Sequence, residues 1–292
     1  MQQINILDFD GSITSQSELL TIFSKKIIIR NLRKYQHVAR LWTSPKKFAE
    51  IAKVEIMGLQ PGFSLMGSGD FHHFSLAIIG QHKTPLTVVL FDNHPDWIKP
   101  PHQYHCGTWV YSLARLSQVV RIIIIGLESG DINGDQFAKG DVESYLSQKV
   151  VLLPFQAIEA IVENNKTVEL HSKLSDDLDK GIAEILRQIP TEQVYISVDK
   201  DCLRTEDAFT NWEQGTLPLT TVLAAIEAIK KHSKIVGADT VGDYSRPIFI
   251  SPIKWIGSWL DRKVSRKPNS EAMLKRNELA NIALIKALVT DV

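Results

Sequence analysis

Cysteine is nearly absent from the chain of 292 residues, which holds only Cys106 and Cys202. Two cysteines exclude a disulfide framework, and both thiols are expected to be reduced. A surplus of charge is missing too, since Lys+Arg and Asp+Glu stand at 33 each. Nothing global therefore points to nucleic acid or an anionic membrane, and the locally basic stretch from 25 to 53 reads as a solvated helix face. No apolar run approaches the roughly 20 residues that a membrane-spanning helix needs. The first residues, MQQINILDFDG, lack the basic end and longer apolar segment of a secretory leader, so a cytoplasmic location is expected. Low-complexity linkers and repeats are likewise missing. With a hydrophobic fraction of 44%, residues 1–292 are expected to form one domain around a sizeable core.

What is present is alternation. Apolar strand-like runs at 3–8, 62–66, 86–91, 119–125, 194–198 and 234–238 are separated by stretches of helical period. Those stretches lie at 18–57, interrupted near Ser44-Pro45, and at 71–80, 108–116, 176–188, 219–231 and 271–288, while 140–175 carries only weak signals. The pattern predicts an α/β fold of three layers, with helices on both faces of a mainly parallel sheet.

The strand at 86–91 organises the rest. Its unbroken apolar run stops at Asp92, Pro95 bars further ladder pairing, and His94 and Asp96 follow at alternate positions. Side chains two apart on extended backbone point the same way, so two carboxylates and an imidazole can converge on a cation. Other expected strands also end in acid: Asp70 after the second, Asp199 and Asp201 after a later one, Asp239 after the last. Parallel strands bring such ends to one edge, where open sheets carry their sites. Many carboxylates in one crevice repel one another unless cations neutralise them. Six of the nine histidines, His72, His73, His82, His94, His102 and His105, fall in the same neighbourhood. Oxygen-rich ligands with one or two imidazoles favour Mn²⁺ above structural zinc.

Three motifs in order carry a resemblance to the arginase-like (ureohydrolase) superfamily. Asp92-Asn93-His94-Pro95-Asp96 matches its Asp-x-His-x-Asp, Ser197-Val198-Asp199-Lys200-Asp201 its Ser-x-Asp-x-Asp, and Gly67-Ser68-Gly69-Asp70-Phe71-His72-His73 approximates its Gly-Gly-Asp-His. The resemblance covers roughly residues 62 to 247. It implies two divalent metal ions, Mn²⁺ by preference, about 3.5 to 4 Å apart around a shared water or hydroxide. His72, Asp92, Asp96 and Asp199 would hold one ion and His94, Asp92, Asp199 and Asp201 the other, with Asp92 and Asp199 bridging. His73 is the alternative to His72. The implied reaction is hydrolysis of a C–N bond in a small amidine, guanidine or amide. A small-molecule substrate is the implied partner, with neither nucleic acid nor membrane, and homo-oligomerisation is left open.

His105, nine residues after Asp96, stands near the family's proton-shuttling histidine, where a ring poised near neutrality could pass a proton to a leaving amine; the alternative is that it lines the rim. His105 and Asp96 are the catalytic assignments; Cys106 reads as a small buried thiol. Trp109, Trp212, Glu213 and Asp243 are expected to shape the substrate pocket. The chain departs from arginase at Gly242, where that family places a guanidinium-binding glutamate, so arginine and agmatine are expected to be poor substrates. Asp243-Tyr244-Ser245-Arg246-Pro247, Cys106-Gly107-Thr108-Trp109 and Asn211-Trp212-Glu213-Gln214-Gly215 look like a separate branch of the superfamily.

Two other readings compete. One is a metal-retaining binding or regulatory protein on the same fold. The other is a phosphatase, since Asp8-Phe9-Asp10-Gly11-Ser12 resembles the first motif of haloacid-dehalogenase-like phosphatases, with Asp8 as nucleophile and Asp10 as acid/base. That fold also needs a late Gly-Asp-x-x-x-Asp, and Gly242-Asp243 is followed by Tyr-Ser-Arg-Pro. On the arginase-like reading Asp8 and Asp10 border the same crevice.

Overall fold

The computed structural model describes residues 3–100, 103–162, 166–261 and 271–289; His102 lies outside them. Eight strands form the central sheet: β1 (Gln3–Asp8), β2 (Ile27–Asn31), β3 (Gly62–Leu65), β4 (Leu86–Phe91), β5 (Val119–Ile125), β6 (Val150–Leu153), β7 (Gln193–Asp199) and β8 (Lys234–Val241). Their spatial order is β2-β1-β3-β8-β7-β4-β5-β6. Every pairing among them is parallel.

Alternation along the strands explains why both faces are covered. Val88 and Leu90 of β4 and Ile122 and Ile124 of β5 enter one apolar cluster, with Val110 and Leu113 of the helix Trp109–Leu113. Val89, Phe91, Ile123 and Ile125 point the opposite way and enter a second. That cluster also takes Ile185 of the helix Leu178–Arg187, Ala225 and Ile229 of Leu219–His232, and Leu284 and Ile285 of Glu271–Leu288. Residues of period two thus serve two cores, and the strands read as continuously apolar. The expected three-layer arrangement is the observed one. No helix among the described residues is long and apolar enough to cross a membrane.

Three local expectations are corrected. Residues 18–57 are not uniformly helical: after a short helix, Ser17–Ile22, the chain forms β2 on the sheet edge. Ile27, Ile28 and Ile29 are β-branched in succession, which suits a pleated edge better than a helix. The basic stretch from 25 therefore begins in a turn and an edge strand, not on a helix face. The weak region 140–175 supplies β6 and a separate antiparallel pair, Ile158–Val162 with Lys166–Leu170. Finally, β8 runs on to Val241, so Asp239 is an interior strand residue rather than a strand end. Its carboxylate is satisfied inside the sheet, accepting from Tyr195 Oη at 2.7 Å and Ser197 Oγ at 2.6 Å.

Candidate metal centre and substrate cavity

The four adjacent central strands β3, β8, β7 and β4 point their C-terminal ends to one edge, and the loops leaving three of them bring the acidic and imidazole groups together. His72 comes from a helical turn, Gly69–Phe74, directly after β3. Asp92, His94 and Asp96 follow β4, and Asp199 closes β7 just before Asp201. Asp96 adopts φ of 48°, a left-handed conformation that aspartate enters more readily than most residues.

Two groups of potential ligand atoms result, each within 4.8 Å: His72, Asp92 and Asp199, and Asp92, His94 and Asp201. Asp92 belongs to both. His72 Nδ1 stands 3.3 Å from Asp92 Oδ2, 3.4 Å from Asp96 Oδ2 and 3.4 Å from Asp199 Oδ2. His94 Nδ1 is 3.0 Å from Asp201 Oδ2 and 3.9 Å from Asp92 Oδ1. All four aspartates are buried. Asp199 joins only the first group; its Oδ1 accepts the backbone N–H of Asp201 at 3.0 Å.

The protonation of His72 follows from its neighbours. Ser197 Oγ has one proton and donates it to Asp239 Oδ1 at 2.6 Å. It must therefore accept from His72 Nε2, 3.0 Å away, so Nε2 carries a proton whatever the charge of the ring. Nδ1, which faces three carboxylates, is then the nitrogen left to meet a cation. His72 Nδ1 and Asp92 Oδ2 are buried and have no hydrogen-bond partner. Donor atoms converging in this way suit a cation, and a hard or borderline divalent ion fits the donor set. His73, the alternative ligand, turns away: its Nε2 lies 3.0 Å from Thr43 Oγ1, and its ring packs against Phe74 with centroids 4.5 Å apart.

Without a cation, the carboxylates draw protons onto the two imidazoles instead. Burial opposes the charged form of His72, yet the carboxylates of Asp199, Asp92 and Asp96 hold its pKa well above the usual imidazole value. Burial also opposes the imidazolium of His94, and Asp201 beside it outweighs that. Burial raises Asp92, with the charges of Asp96 and Asp201 adding to it, and raises Asp201 to about 6, with Asp199 adding. The cluster has more negative charge than its surroundings balance.

Above these residues opens a cavity of about 1020 Å³, walled by Trp42, His105 and Trp212. None of its described lining residues is Lys or Arg, while Asp131 and Glu213 stand exposed on its rim. His105 is in the cavity, but its pKa is lowered to about 4, first by burial and then by Lys254. The expectation of a near-neutral histidine is corrected accordingly. Its Nδ1 accepts the N–H of Gly107 at 2.9 Å, which leaves the ring proton on Nε2.

Two other expected pocket residues lie elsewhere. Trp109 is buried behind the cluster, its indole donating to Asp96 Oδ2 at 2.8 Å. Asp243 is not in the cavity lining: its Oδ2 accepts from Lys200 Nζ at 2.8 Å, and its Oδ1 accepts from Gln16 and Asn281. The carboxylate is tied up by a fully buried cation on the core side, so the neighbouring Gly242 leaves no displaced glutamate substitute. Asp8 and Asp10 are also absent from the lining. Asp8 pairs with Arg33 at 2.9 Å, and Asp10 accepts from Ser12, Ser68 and Ser245. The Ser197–Asp239 support of His72 was not foreseen, although Ser197 opens a recognised motif. Trp42, Asp131 and Arg40 gave no signal in the sequence.

A family model described as the Arginase family matches residues 64–242. A protein of Thermotoga maritima described as uncharacterized is 26% identical over 244 residues, 82% of this chain and 79% of that protein. Arginase from Bacillus subtilis superposes with a TM-score of 0.58 at 13% identity, covering 100% of this chain and 99% of the other. Agmatine ureohydrolase of Thermoplasma volcanium gives 0.56 at 16%, covering 98% and 90%. Proclavaminate amidino hydrolase from Streptomyces clavuligerus gives 0.53 at 16%, covering 98% and 92%.

Proposed function

The chain belongs to the arginase family, and on that premise we propose that it is a metal-dependent hydrolase cleaving a C–N bond in a small amidine, guanidine or amide. The observation that carries the proposal is His72 Nδ1, a buried nitrogen with no hydrogen-bond partner, aimed into carboxylates that already share Asp92 with a second ligand group. His72, Asp92, Asp96 and Asp199 would hold one Mn²⁺ and Asp92, His94 and Asp201 a second. Bound there, divalent ions supply Lewis acidity and lower the pKa of water towards neutrality.

The residues of the chain do the rest. Ser197 and Asp239 keep the His72 ring proton on Nε2. Asp96 is steered by the Trp109 indole and stands at the wall facing the cavity, where it can take a proton. His105, neutral at physiological pH, offers an N–H to substrate rather than a labile proton. Trp42 and Trp212 enclose the organic part of the substrate and exclude water.

Substrate choice follows from charge. A carboxylate-bearing substrate finds no described Lys or Arg in the lining, whereas Asp131 and Glu213 at the rim favour a cationic or neutral tail. A guanidinium deep in the site finds no spare carboxylate, because Asp243 is engaged by Lys200. Arginine is therefore disfavoured twice. The test is metal analysis combined with a panel of amidines, guanidines and acyl-amines, following release of urea, ammonia or free amine. Release from one class but not from arginine supports the proposal. Two bound ions with no turnover across the panel would favour a metal-retaining regulatory protein instead.

A further inference from the structure

Four polar motifs of the sequence converge away from the ligand cluster, on one buried guanidinium. Arg40 has no exposed surface. Its Nε donates to Asp70 Oδ2 at 2.5 Å, and its Nη2 donates to Ser245 Oγ at 2.7 Å. Ser245 Oγ in turn donates to Asp10 at 2.6 Å, and its backbone is clasped by Asn211, which accepts the N–H at 3.0 Å and donates to the carbonyl at 2.9 Å. Burying such a charge is expensive, and a buried pair adds little stability over apolar residues of similar size. What a guanidinium supplies in exchange is direction, because its planar fork fixes several acceptors at once.

The direction here ends at the cavity. Asp70 uses its other oxygen, Oδ1, to accept the indole N–H of Trp212 at 3.1 Å. Trp212 lines the cavity, with its ring centroid 6.1 Å from that of His94. It also borders the same glycine as the ligand cluster: a Cβ placed at Gly69 would meet Trp212 Cδ1 at 3.3 Å and Asp199 Oδ2 at 2.8 Å. We propose that Arg40 is a positioning residue which, through Asp70, locks the Trp212 indole as a fixed wall of the substrate cavity beside Asp199 and His94. That this wall faces substrate rests on the function proposed above; the lock on the indole does not.

Indole N–H hydrogen exchange, read by nitrogen-15 NMR on the full chain with Mg²⁺ as a diamagnetic ion, tests the lock without any substrate. Loss of one resonance in Trp212→Phe assigns the signal. Arg40→Lys keeps the charge and loses the fork, so the Trp212 N–H should exchange at least tenfold faster. Trp109, whose indole donates to Asp96, should stay within twofold as the internal reference. Ser245→Ala is the milder variant should Arg40→Lys not fold: it removes one Arg40 acceptor without touching Trp212, and a selective rise of about threefold is expected. A merely structural role for Arg40 would accelerate every indole together. Equal acceleration of Trp109 and Trp212, or no change at Trp212 in a folded variant, overturns the proposal. Failure of the hydrolase reading would leave these exchange rates unaffected.

Discussion

Ser197 Oγ lies 3.0 Å from His72 Nε2, and this contact decides which nitrogen of the ring can meet a cation. Outer contacts of this kind typically change metal affinity by about 10- to 100-fold when removed. Ser197→Ala should weaken Mn²⁺ binding by that factor in a chelator-competition titration. Asp239→Asn should weaken it less, because an amide oxygen can still accept the hydroxyl proton. Unchanged affinity in Ser197→Ala would mean that the ring is fixed by packing against Trp109 alone, with centroids 4.6 Å apart.

Asp92 and Asp199 should behave differently although family resemblance makes both bridge. Asp92 is shared by both ligand groups, and Asp199 belongs to one. Asp92→Asn is expected to bring metal content from about two ions per chain to near zero. Asp199→Asn is expected to retain about one. Elemental analysis of dialysed protein reads both, and complete loss in Asp199→Asn would restore the symmetric bridging pair.

His105 makes stability depend on pH. Its folded pKa of about 4 lies below the ordinary 6.5, so the unfolded chain binds a proton first as pH falls. The sign is therefore loss of stability on acidification from 6.5 to about 4, and full recovery above 6.5. At about 1.4 kcal/mol per unit, the contribution is about 3 kcal/mol. His105→Asn should flatten that part of the curve of urea midpoint against pH; an unaltered slope between wild type and variant would assign it to other groups.

Asp243→Ala should damage the fold and leave substrate choice alone. It strips the partner from Lys200, whose ammonium is fully buried and also donates to Val241 O at 2.7 Å and Asn281 Oδ1 at 3.0 Å. Leaving one charge of a buried pair uncompensated costs about 3 to 5 kcal/mol. Lys200→Met with Asp243→Leu should recover much of that. If instead Asp243→Asn abolished turnover of a substrate while the denaturation midpoint held, the carboxylate would belong to the pocket.

Most of the sheet, and the acidic and imidazole residues gathered at its edge, were legible because they depend on local signals. β4 and β5 are uninterrupted apolar runs, and Asp92, His94 and Asp96 follow one of them at a spacing that extended backbone turns to one side. β2 was hidden because three successive isoleucines beside lysines carry no alternation. Asp239 was misplaced for a different reason: an aspartate inside a strand looks like a strand end until Tyr195 and Ser197 are seen to satisfy it. Asp243 and Trp109 were drawn to the pocket by nearness to motifs in the chain. Their actual partners, Lys200 and Asp96, are set by tertiary packing, which spacing does not encode. The near-neutral pKa expected of His105 failed likewise, since burial and Lys254 are invisible in the chain.

Gly242 has φ of 91°, and a Cβ there would come within 2.5 Å of Asp199 Oδ1 and 2.7 Å of the Lys200 backbone nitrogen. For a lineage or an engineer moving this chain towards arginine, the obvious first step, an acidic residue at 242, would dislodge Asp199 before it could meet a guanidinium. Each single-residue path then descends through an intermediate whose Asp199 carboxylate is displaced. The loop backbone after β8 has to change course first, so a switch of specificity here is a problem of backbone remodelling, reachable by insertion or deletion and closed to point substitution.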